Sequence, residues 1–162
     1  MEVRYLVKEH EREDHVRAIE LKIPSEMGYE KLAMALAEQC ARIMGFADSR
    51  VEDVKTAVSE ACINAMEHGN ASDVTTKVFV TMTIDDDRLA IDVADEGRSG
   101  PPPSDVKAPD LEAQIAGFEA PGGMGLFVIK ALVDEAEFVE PELGFGNQFR
   151  MVIHLQPKET LT

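Results

Sequence analysis

A carboxylate and an amide stand four residues apart in a segment with helical periodicity. Glu60 and Asn64 therefore stack on one side of a predicted helix, and His68 follows one turn later. An amide oxygen is a suitable ligand for Mg²⁺, and a carboxylate one turn away has the chemistry of a general base. An ordinary solvated helix face would explain the same pair, and a histidine near a helix C-terminus is electrostatically favourable without any ligand.

A second acidic residue lies where a predicted strand ends. Continuing the alternation of Ile91 and Val93 places the Asp95 side chain on their apolar face. Because a buried charge without a partner is costly, this carboxylate either caps a helix, forms a salt bridge or receives a hydrogen bond from a ligand. Gly97 follows two residues later and would let a flat ring approach the backbone.

A run of small residues, Gly122-Gly123-Met124-Gly125, precedes an apolar helical pattern. Glycines let backbone N–H groups converge, and a helix N-terminus adds partial positive charge, so the run suits an anion such as a phosphate. Close helix packing is the alternative explanation. Neither the P-loop ending Gly-Lys-Ser/Thr nor a G-x-G-x-x-G after a strand occurs, so a phosphate site is predicted only in combination with the other two elements.

The histidines and cysteines do not follow the spacing of a zinc site or a disulfide framework. His10-Glu11 is followed by His15, and this spacing of five places the two rings on different helix faces. Cys40 and Cys62 fall within apolar helical patterns. Buried free thiols are therefore predicted.

Five strands and three helices are predicted to position these residues. Apolar alternation predicts strands at 18–23, 78–84, 89–93, 136–140 and 147–155, and helical periodicity predicts helices at 28–45, 49–69 and 122–134. The apolar stripe of the first helix is Leu32, Leu36, Cys40 and Ile43, and Gly45 is its predicted C-terminal stop. Ser49 is the predicted N-cap of the second helix, whose apolar stripe is Val51, Val54, Val58, Ala61, Cys62 and Ala65. Strands with one apolar face predict an α/β two-layer sandwich, in which a mixed, mostly antiparallel sheet carries helices on one face.

The 162 residues predict one domain, at 16–156, between a charged N-terminal arm at 1–15 and a C-terminal tail at 157–162. Repeated prolines and glycines over 96–121 exclude a regular element through most of that segment. The net charge of -15 disfavours binding to nucleic acid or to an anionic membrane, and indicates either simple solubility or attraction to a basic protein. The chain shows neither a signal-peptide core nor a membrane-spanning apolar run, so a cytoplasmic location is expected.

The three candidate elements, taken in order, resemble the motifs of the GHKL ATPase superfamily. The string SEACINAMEHG contains Glu60, Asn64 and His68 and resembles the N-box. VADEGRS, with Asp95 and Gly97, resembles the first glycine box, and PGGMGLFVIK is similar to the second. The full strings resemble the anti-sigma-factor serine kinases of the RsbW type, and the resemblance extends from about residue 19 to 155.

This resemblance implies a Bergerat fold, with ATP and Mg²⁺ as cofactors between the helices and the sheet. It implies that Asn64 binds Mg²⁺ and phosphates, that Asp95 hydrogen-bonds the adenine amino group and that Gly97 lies against the ring. Glu60 would be the catalytic base for a serine hydroxyl, and residues 98–121 would form the ATP lid. The other ATP-binding residues that it implies are His68, Gly122, Gly123, Met124, Gly125, Leu126 and Asn147.

The resemblance also implies partners. A homodimer would sequester a sigma factor and phosphorylate a serine of an anti-anti-sigma antagonist of the STAS type. Two other functions stay open: an ATP-dependent binding module without catalysis, and a switch kinase of a stress-signalling complex without a sigma-factor target. The sequence departs from the family pattern at Gly100, one residue late for D-x-G-x-G, at Asn147 after Gly146, where many relatives have Gly-Thr, and at Pro121, where some carry a basic residue.

Overall fold

The computed structural model describes residues 2–7, 16–98, 100–101 and 124–156. These ranges contain six strands and three α-helices: β1 (Glu2–Val7), β2 (Arg17–Pro24), α1 (Glu30–Met44), α2 (Asp48–Asn64), β3 (Lys77–Ile84), β4 (Arg88–Ala94), α3 (Met124–Leu132), β5 (Glu135–Val139) and β6 (Gln148–His154). A π-helical turn, Ala65–Gly69, continues α2. None of the helices described is long and apolar enough to cross a membrane.

The strands form one sheet in the order β1-β2-β3-β4-β6-β5. Every pairing between the strands described is antiparallel, so this sheet is more uniform than the mixed one predicted. The register aligns apolar residues across neighbouring strands, with Val80 opposite both Leu21 and Val93, and Val93 opposite Phe149. All four side chains are buried, and they form part of the core between the sheet and the helices.

The strand β1 differs from the charged arm expected at residues 1–15. Its backbone pairs with β2, with Val3 opposite Leu21 and Tyr5 opposite Ile19. Without this partner one side of β2 would present a row of unpaired N–H and C=O groups. So short a segment forms a strand only where a neighbouring backbone supplies its hydrogen-bond partners. The sequence did not show that β2 would lie beside it, so this strand was not predicted.

The buried side of α1 agrees only in part with the predicted apolar stripe. Its buried residues include Ala33, Ala37, Cys40 and Ala41. Of the predicted stripe, Cys40 is buried and Leu36 is partly buried, whereas Leu32 and Ile43 are 40% and 76% exposed. The prediction was wrong for Leu32 and Ile43 because it weighed large apolar side chains, whereas the alanines on the other side permit closer packing of the helix.

The predicted apolar stripe of α2 is confirmed. Its six members are all buried: Val51, Val54, Val58, Ala61, Cys62 and Ala65. The predicted N-cap at Ser49 is wrong, because Ala47 is the N-cap and Ser49 lies inside the first turn. Backbone N–H groups of Arg50 and Val51 donate to the Ala47 carbonyl, so the helix starts two residues earlier than its polar side chains suggested.

The glycine that ends α1 behaves as the sequence predicts. Gly45 adopts a left-handed conformation with φ of 88°, and its N–H donates to the Arg42 carbonyl. The next residue, Phe46, is buried and donates its N–H to the Ala41 carbonyl. This tight stop allows α2 to begin almost at once and to pack against α1.

Candidate functional site

The helix α2 carries two of the predicted site residues near its C-terminal end. Glu60 and Asn64 are partly buried, one turn apart, where the α-helix passes into the π-helical turn. This turn ends at Gly69, which is buried against the Asp95 side chain.

Three glycines lie where separate backbone segments touch around Asp95. A Cβ atom on Gly69 would overlap the Asp95 carboxylate, and one on Gly97 would overlap the Gly69 carbonyl oxygen. A Cβ atom on Gly146 would overlap the Gly97 carbonyl oxygen. We call Gly69, Gly97 and Gly146 the glycine cradle. The cradle joins the end of the π-helical turn, the segment after β4 and the β5–β6 loop in contacts that a larger residue would prevent.

The Asp95 carboxylate is 4% exposed and is held by amide groups. Its Oδ1 accepts the Gly97 N–H at 2.9 Å and the Asn147 N–H at 3.1 Å, and its Oδ2 accepts Asn147 Nδ2 at 3.2 Å. A carboxylate has about four acceptor positions, so these bonds leave one position on Oδ2. Because the partners among the residues described are neutral amides, the structure favours the alternative of a carboxylate ready for a further hydrogen-bond donor.

Backbone hydrogen bonds fix the same strand ends. The Asp95 N–H donates to the Asn147 carbonyl at 3.0 Å, and the Gly146 N–H donates to the Asp95 carbonyl at 2.7 Å. Asp95 and Asn147 therefore face each other as a direct extension of the β4–β6 pairing, which ends at Ala94 and Gln148. The position of Asp95 opposite Asn147 therefore follows from the register of the sheet.

A second cluster forms around Gly125 at the beginning of α3. A Cβ atom on Gly125 would lie 3.0 Å from both Glu60 Oε2 and Asn64 Nδ2, and 3.1 Å from Asn64 Oδ1. The absence of a side chain at Gly125 thus lets the first turn of α3 approach the polar side of α2. Amide and carboxylate oxygens at a helix N-terminus are suited to a divalent cation and to the anion that it accompanies.

The two clusters lie on one continuous helical segment. From Asn64 to Gly69 the chain advances five residues, which is little more than one helical turn. The structure thus brings Asp95, Gly97 and Asn147 together at one end and Glu60, Asn64 and Gly125 at the other. The chain that separates their motifs is long, and only the packing of the helices on the sheet unites them.

The remaining predicted residues have different positions. Met124 and Leu126 flank Gly125 in the first turn of α3 and are partly exposed, whereas His68 is exposed on the π-helical turn. Gly122 and Gly123 lie outside the described residues, as do residues 99 and 102–121 of the lid predicted at 98–121, which include Pro121. Their assignments stay predictions.

Sequence reasoning missed the contact roles of Gly69 and Gly146, and it did not single out Asn70. Gly69 was recognised only as a helix stop, and Gly146 only as the neighbour of Asn147. Asn70 is buried and accepts a hydrogen bond from the Glu96 N–H, between the two residues of the D-x-G motif. A polar residue after a helix-ending glycine is a common pattern, so the sequence offered no distinguishing signal.

The two cysteines are buried free thiols, as predicted. Cys62 lies between Glu60 and Asn64 in the sequence but faces the core, where burial raises its pKa to about 12, with a smaller contribution from the Glu30 carboxylate. Burial also raises the pKa of Cys40. Since the thiolate is the reactive form, neither sulfur is suited to nucleophilic chemistry at neutral pH.

Comparisons with known proteins identify relatives of this chain. Residues 23–153 match the histidine kinase-like ATPase domain family. The serine-protein kinase RsbW of Bacillus subtilis is 35% identical over 121 residues, which cover 72% of this chain and 74% of the relative. RsbW of Bacillus velezensis is 35% identical over 123 residues (74% and 76% covered), and RsbW of Bacillus cereus strain Q1 is 33% identical over 132 residues (76% and 78% covered).

A solved structure confirms the predicted fold class. The crystal structure of the RsbU and RsbW domains of a Mycobacterium tuberculosis protein superposes with a TM-score of 0.58 and 21% identity, covering 85% of this chain and 32% of that one. At this identity the likeness concerns the fold alone, and the sequence relatives establish the family. The chain therefore belongs to the RsbW family of serine-protein kinases, within the histidine kinase-like ATPase domains.

Proposed function

We propose that this protein is a cytoplasmic, homodimeric anti-sigma factor and serine kinase that sequesters a sigma factor and phosphorylates an anti-anti-sigma antagonist of the STAS type. One observation carries the proposal: a single helical segment, α2 with its π-helical turn, contacts both candidate clusters. The buried Asp95 lies at one end of this segment, and Glu60 and Asn64 lie beside Gly125 at the other. The names of the relatives, serine-protein kinases, support the kinase activity.

At the Asp95 end the proposed ligand group is adenine. The remaining acceptor position on Asp95 Oδ2 would receive an N–H of the exocyclic amino group, and Asn147 holds the carboxylate in place by two hydrogen bonds. Gly97 leaves space for the ring beside the backbone. Guanine presents a carbonyl at the corresponding position, so an acceptor carboxylate favours ATP over GTP.

At the Gly125 end the proposed ligand groups are the phosphates and Mg²⁺. Asn64 would hold the cation through its amide oxygen, and the first turn of α3, with Met124, Gly125 and Leu126, would direct backbone N–H groups at the phosphates. Mg²⁺, when bound, supplies charge neutralisation for the transferring phosphoryl group. Gly122, Gly123 and His68 complete the proposed ATP-binding set.

Glu60 is the proposed catalytic base. As the serine oxygen of the antagonist forms a bond to the γ-phosphorus, the bond from that phosphorus to the β–γ bridging oxygen breaks and ADP leaves. The proton of the serine hydroxyl passes to the Glu60 carboxylate. The position of Glu60 Oε2 beside Gly125 supports this role, because a base there would lie next to the proposed phosphate site.

Phosphate transfer from radiolabelled ATP to a purified STAS-domain antagonist tests the kinase. Glu60→Gln is expected to lower the transfer rate by roughly 10²–10⁴-fold, the usual contribution of a general base, with ATP affinity unchanged. Glu52→Gln is the matched control, because Glu52 is an exposed glutamate on the same helix. Transfer by Glu60→Gln at the wild-type rate would refute the role of Glu60.

ATP binding and partner choice are tested separately. Asn64→Ala is expected to weaken the affinity for ATP·Mg²⁺, measured by titration calorimetry. Binding of ATP without transfer to any antagonist would instead identify a non-catalytic binding module.

Copurification with ATP and with ADP tests partner exchange, and recovery of an antagonist but no sigma factor in either condition would indicate a switch kinase of another signalling complex. Light scattering measures the molar mass of the protein in solution and so tests the proposed homodimer.

A further inference from the structure

Asn70 follows the π-helical turn and is a buried polar residue, with 4% of its surface exposed. Its side chain connects three separate parts of the chain. Nδ2 donates to Ser25 Oγ at 3.2 Å, after β2, and to the Lys77 carbonyl at 2.9 Å, at the start of β3. Oδ1 accepts the Glu96 N–H at 2.9 Å, in the segment after β4.

The Glu96 contact is the one that bears on the site. Glu96 separates Asp95 from Gly97, the two residues proposed to recognise adenine. Its own side chain is exposed, and its Oε2 accepts the Lys77 N–H at 2.8 Å. The Asp95–Gly97 segment is therefore fixed to β3 through Glu96 and to Asn70 through the Glu96 backbone, in addition to the bonds from Asn147.

The chemistry at this position requires an amide. Two donors and one acceptor are used in one planar group, and exchanging Oδ1 with Nδ2 would set donor against donor at the Glu96 N–H and acceptor against acceptor at the Lys77 carbonyl. Aspartate keeps the acceptor but lacks the donors, leucine keeps the volume but lacks both, and alanine lacks all three properties. Asn70 thus has separable contacts, one to the site and two to the surrounding strands.

We infer that Asn70 is a positioning residue for nucleotide recognition: its Oδ1 holds the Glu96 backbone so that Asp95 and Gly97 keep the geometry that adenine requires. The inference rests on the proposed binding of ATP. Asn70 itself touches no ligand in this scheme and acts through the Asp95–Gly97 segment. A purely structural role would lower stability but would leave the preference for ATP over GTP unchanged.

The test compares dissociation constants for ATP·Mg²⁺ and GTP·Mg²⁺, measured by calorimetry on folded protein, with thermal unfolding measured in parallel. Asn70→Ala is expected to weaken ATP binding by about tenfold, with GTP binding changed by less than about threefold, so the ATP preference falls. Asn70→Leu serves the same purpose if the alanine variant does not fold. Asn70→Asp retains the acceptor for the Glu96 N–H and is expected to retain most of the ATP preference despite lower stability.

Ser25→Ala is the matched control, because it removes only the hydrogen bond from Nδ2 to Ser25 Oγ. It is expected to lower stability while keeping the ATP preference. An ATP preference equal to wild type in folded Asn70→Ala or Asn70→Leu would overturn the inference, as would an Asn70→Asp variant that loses as much preference as Asn70→Leu. Failure of the wild type itself to bind ATP would instead refute the proposed function.

Discussion

The glycine cradle offers a direct test of how the site is built, through the substitution Gly97→Ala. The added Cβ atom would overlap the Gly69 carbonyl oxygen and lie close to the Gly69 carbonyl carbon. It would lie 3.2 Å from Asp95 Oδ1. Backbone atoms cannot rotate away as a flexible side chain can. The segment after β4 must therefore separate from the π-helical turn.

The magnitude follows from what this separation breaks. Inserting a methyl group into a closely packed region costs about 1–3 kcal/mol in the free energy of unfolding. The Gly97 N–H also donates to Asp95 Oδ1, so the shift disturbs the carboxylate that is proposed to bind adenine. Losing one hydrogen bond to a charged group, about 1.5–3 kcal/mol, corresponds to roughly ten- to a hundredfold weaker ATP binding.

Gly100→Ala is the matched control, because a Cβ atom on Gly100 meets no atom of the described residues within 4 Å. Calorimetric titration with ATP·Mg²⁺ and thermal unfolding should show weaker binding and lower stability for Gly97→Ala, with both properties near wild type for Gly100→Ala. If Gly97→Ala bound ATP as tightly as the wild type, the close approach of Gly97 to Gly69 would have no part in recognition. Equal losses in both variants would also contradict the reasoning, since they would point to a general sensitivity of this loop.

Two further predictions concern stability. The free energy of unfolding should fall as pH rises above about 9, because the unfolded Cys62 thiol ionises near its ordinary pKa of 9.0 while burial keeps the folded thiol protonated to about 12. Urea denaturation at several pH values measures this fall. Cys62→Ala should make the fall in the free energy of unfolding between pH 9 and 10.5 less steep by up to about 1.4 kcal/mol per pH unit, and an unchanged dependence on pH would contradict the prediction. Arg50 Nη1 donates to the Leu132 carbonyl at 2.6 Å and Nη2 to Asp134 Oδ2 at 2.7 Å, tying α2 to the end of α3. In urea denaturation, Arg50→Ala should lower the free energy of unfolding by about 1 kcal/mol. Arg42→Ala should lower it clearly less, because the ion pairs of Arg42 are more exposed. Equal effects would contradict a stabilising connection between α2 and the end of α3 through Arg50.

The arrangement of the site explains why its two ends depend on different forces. The Asp95 end is defined by backbone contacts and hydrogen bonds at the edge of the sheet. The Gly125 end is defined by the packing of α3 on α2, where the partly buried side chains of Glu60 and Asn64 lie next to Gly125. Substitutions at the Asp95 end should therefore affect stability and binding together, whereas substitutions at Glu60 should affect catalysis with little change in stability.

Much of the site was predictable because its chemistry is encoded over short distances along the chain. A spacing of four residues puts Glu60 and Asn64 on one side of a helix whatever the rest of the protein does. Strand alternation directs Asp95 toward the buried face in the same local way, and the apolar stripe of α2 follows from helical periodicity. These periods depend on a few successive residues, so the sequence by itself determined them.

The tertiary structure decided what depends on contacts between distant segments. The sequence did not show which side of α1 is buried. Ala33 and Ala37 form the inner face because other elements pack closely against these small residues, and that packing is not visible in the local pattern. It did not show that Glu2–Val7 completes the sheet, because β2 supplies the partner groups. The glycine cradle and Asn70 belong to the same class: their roles arise from backbones that meet through space, and no local pattern records which segments will touch.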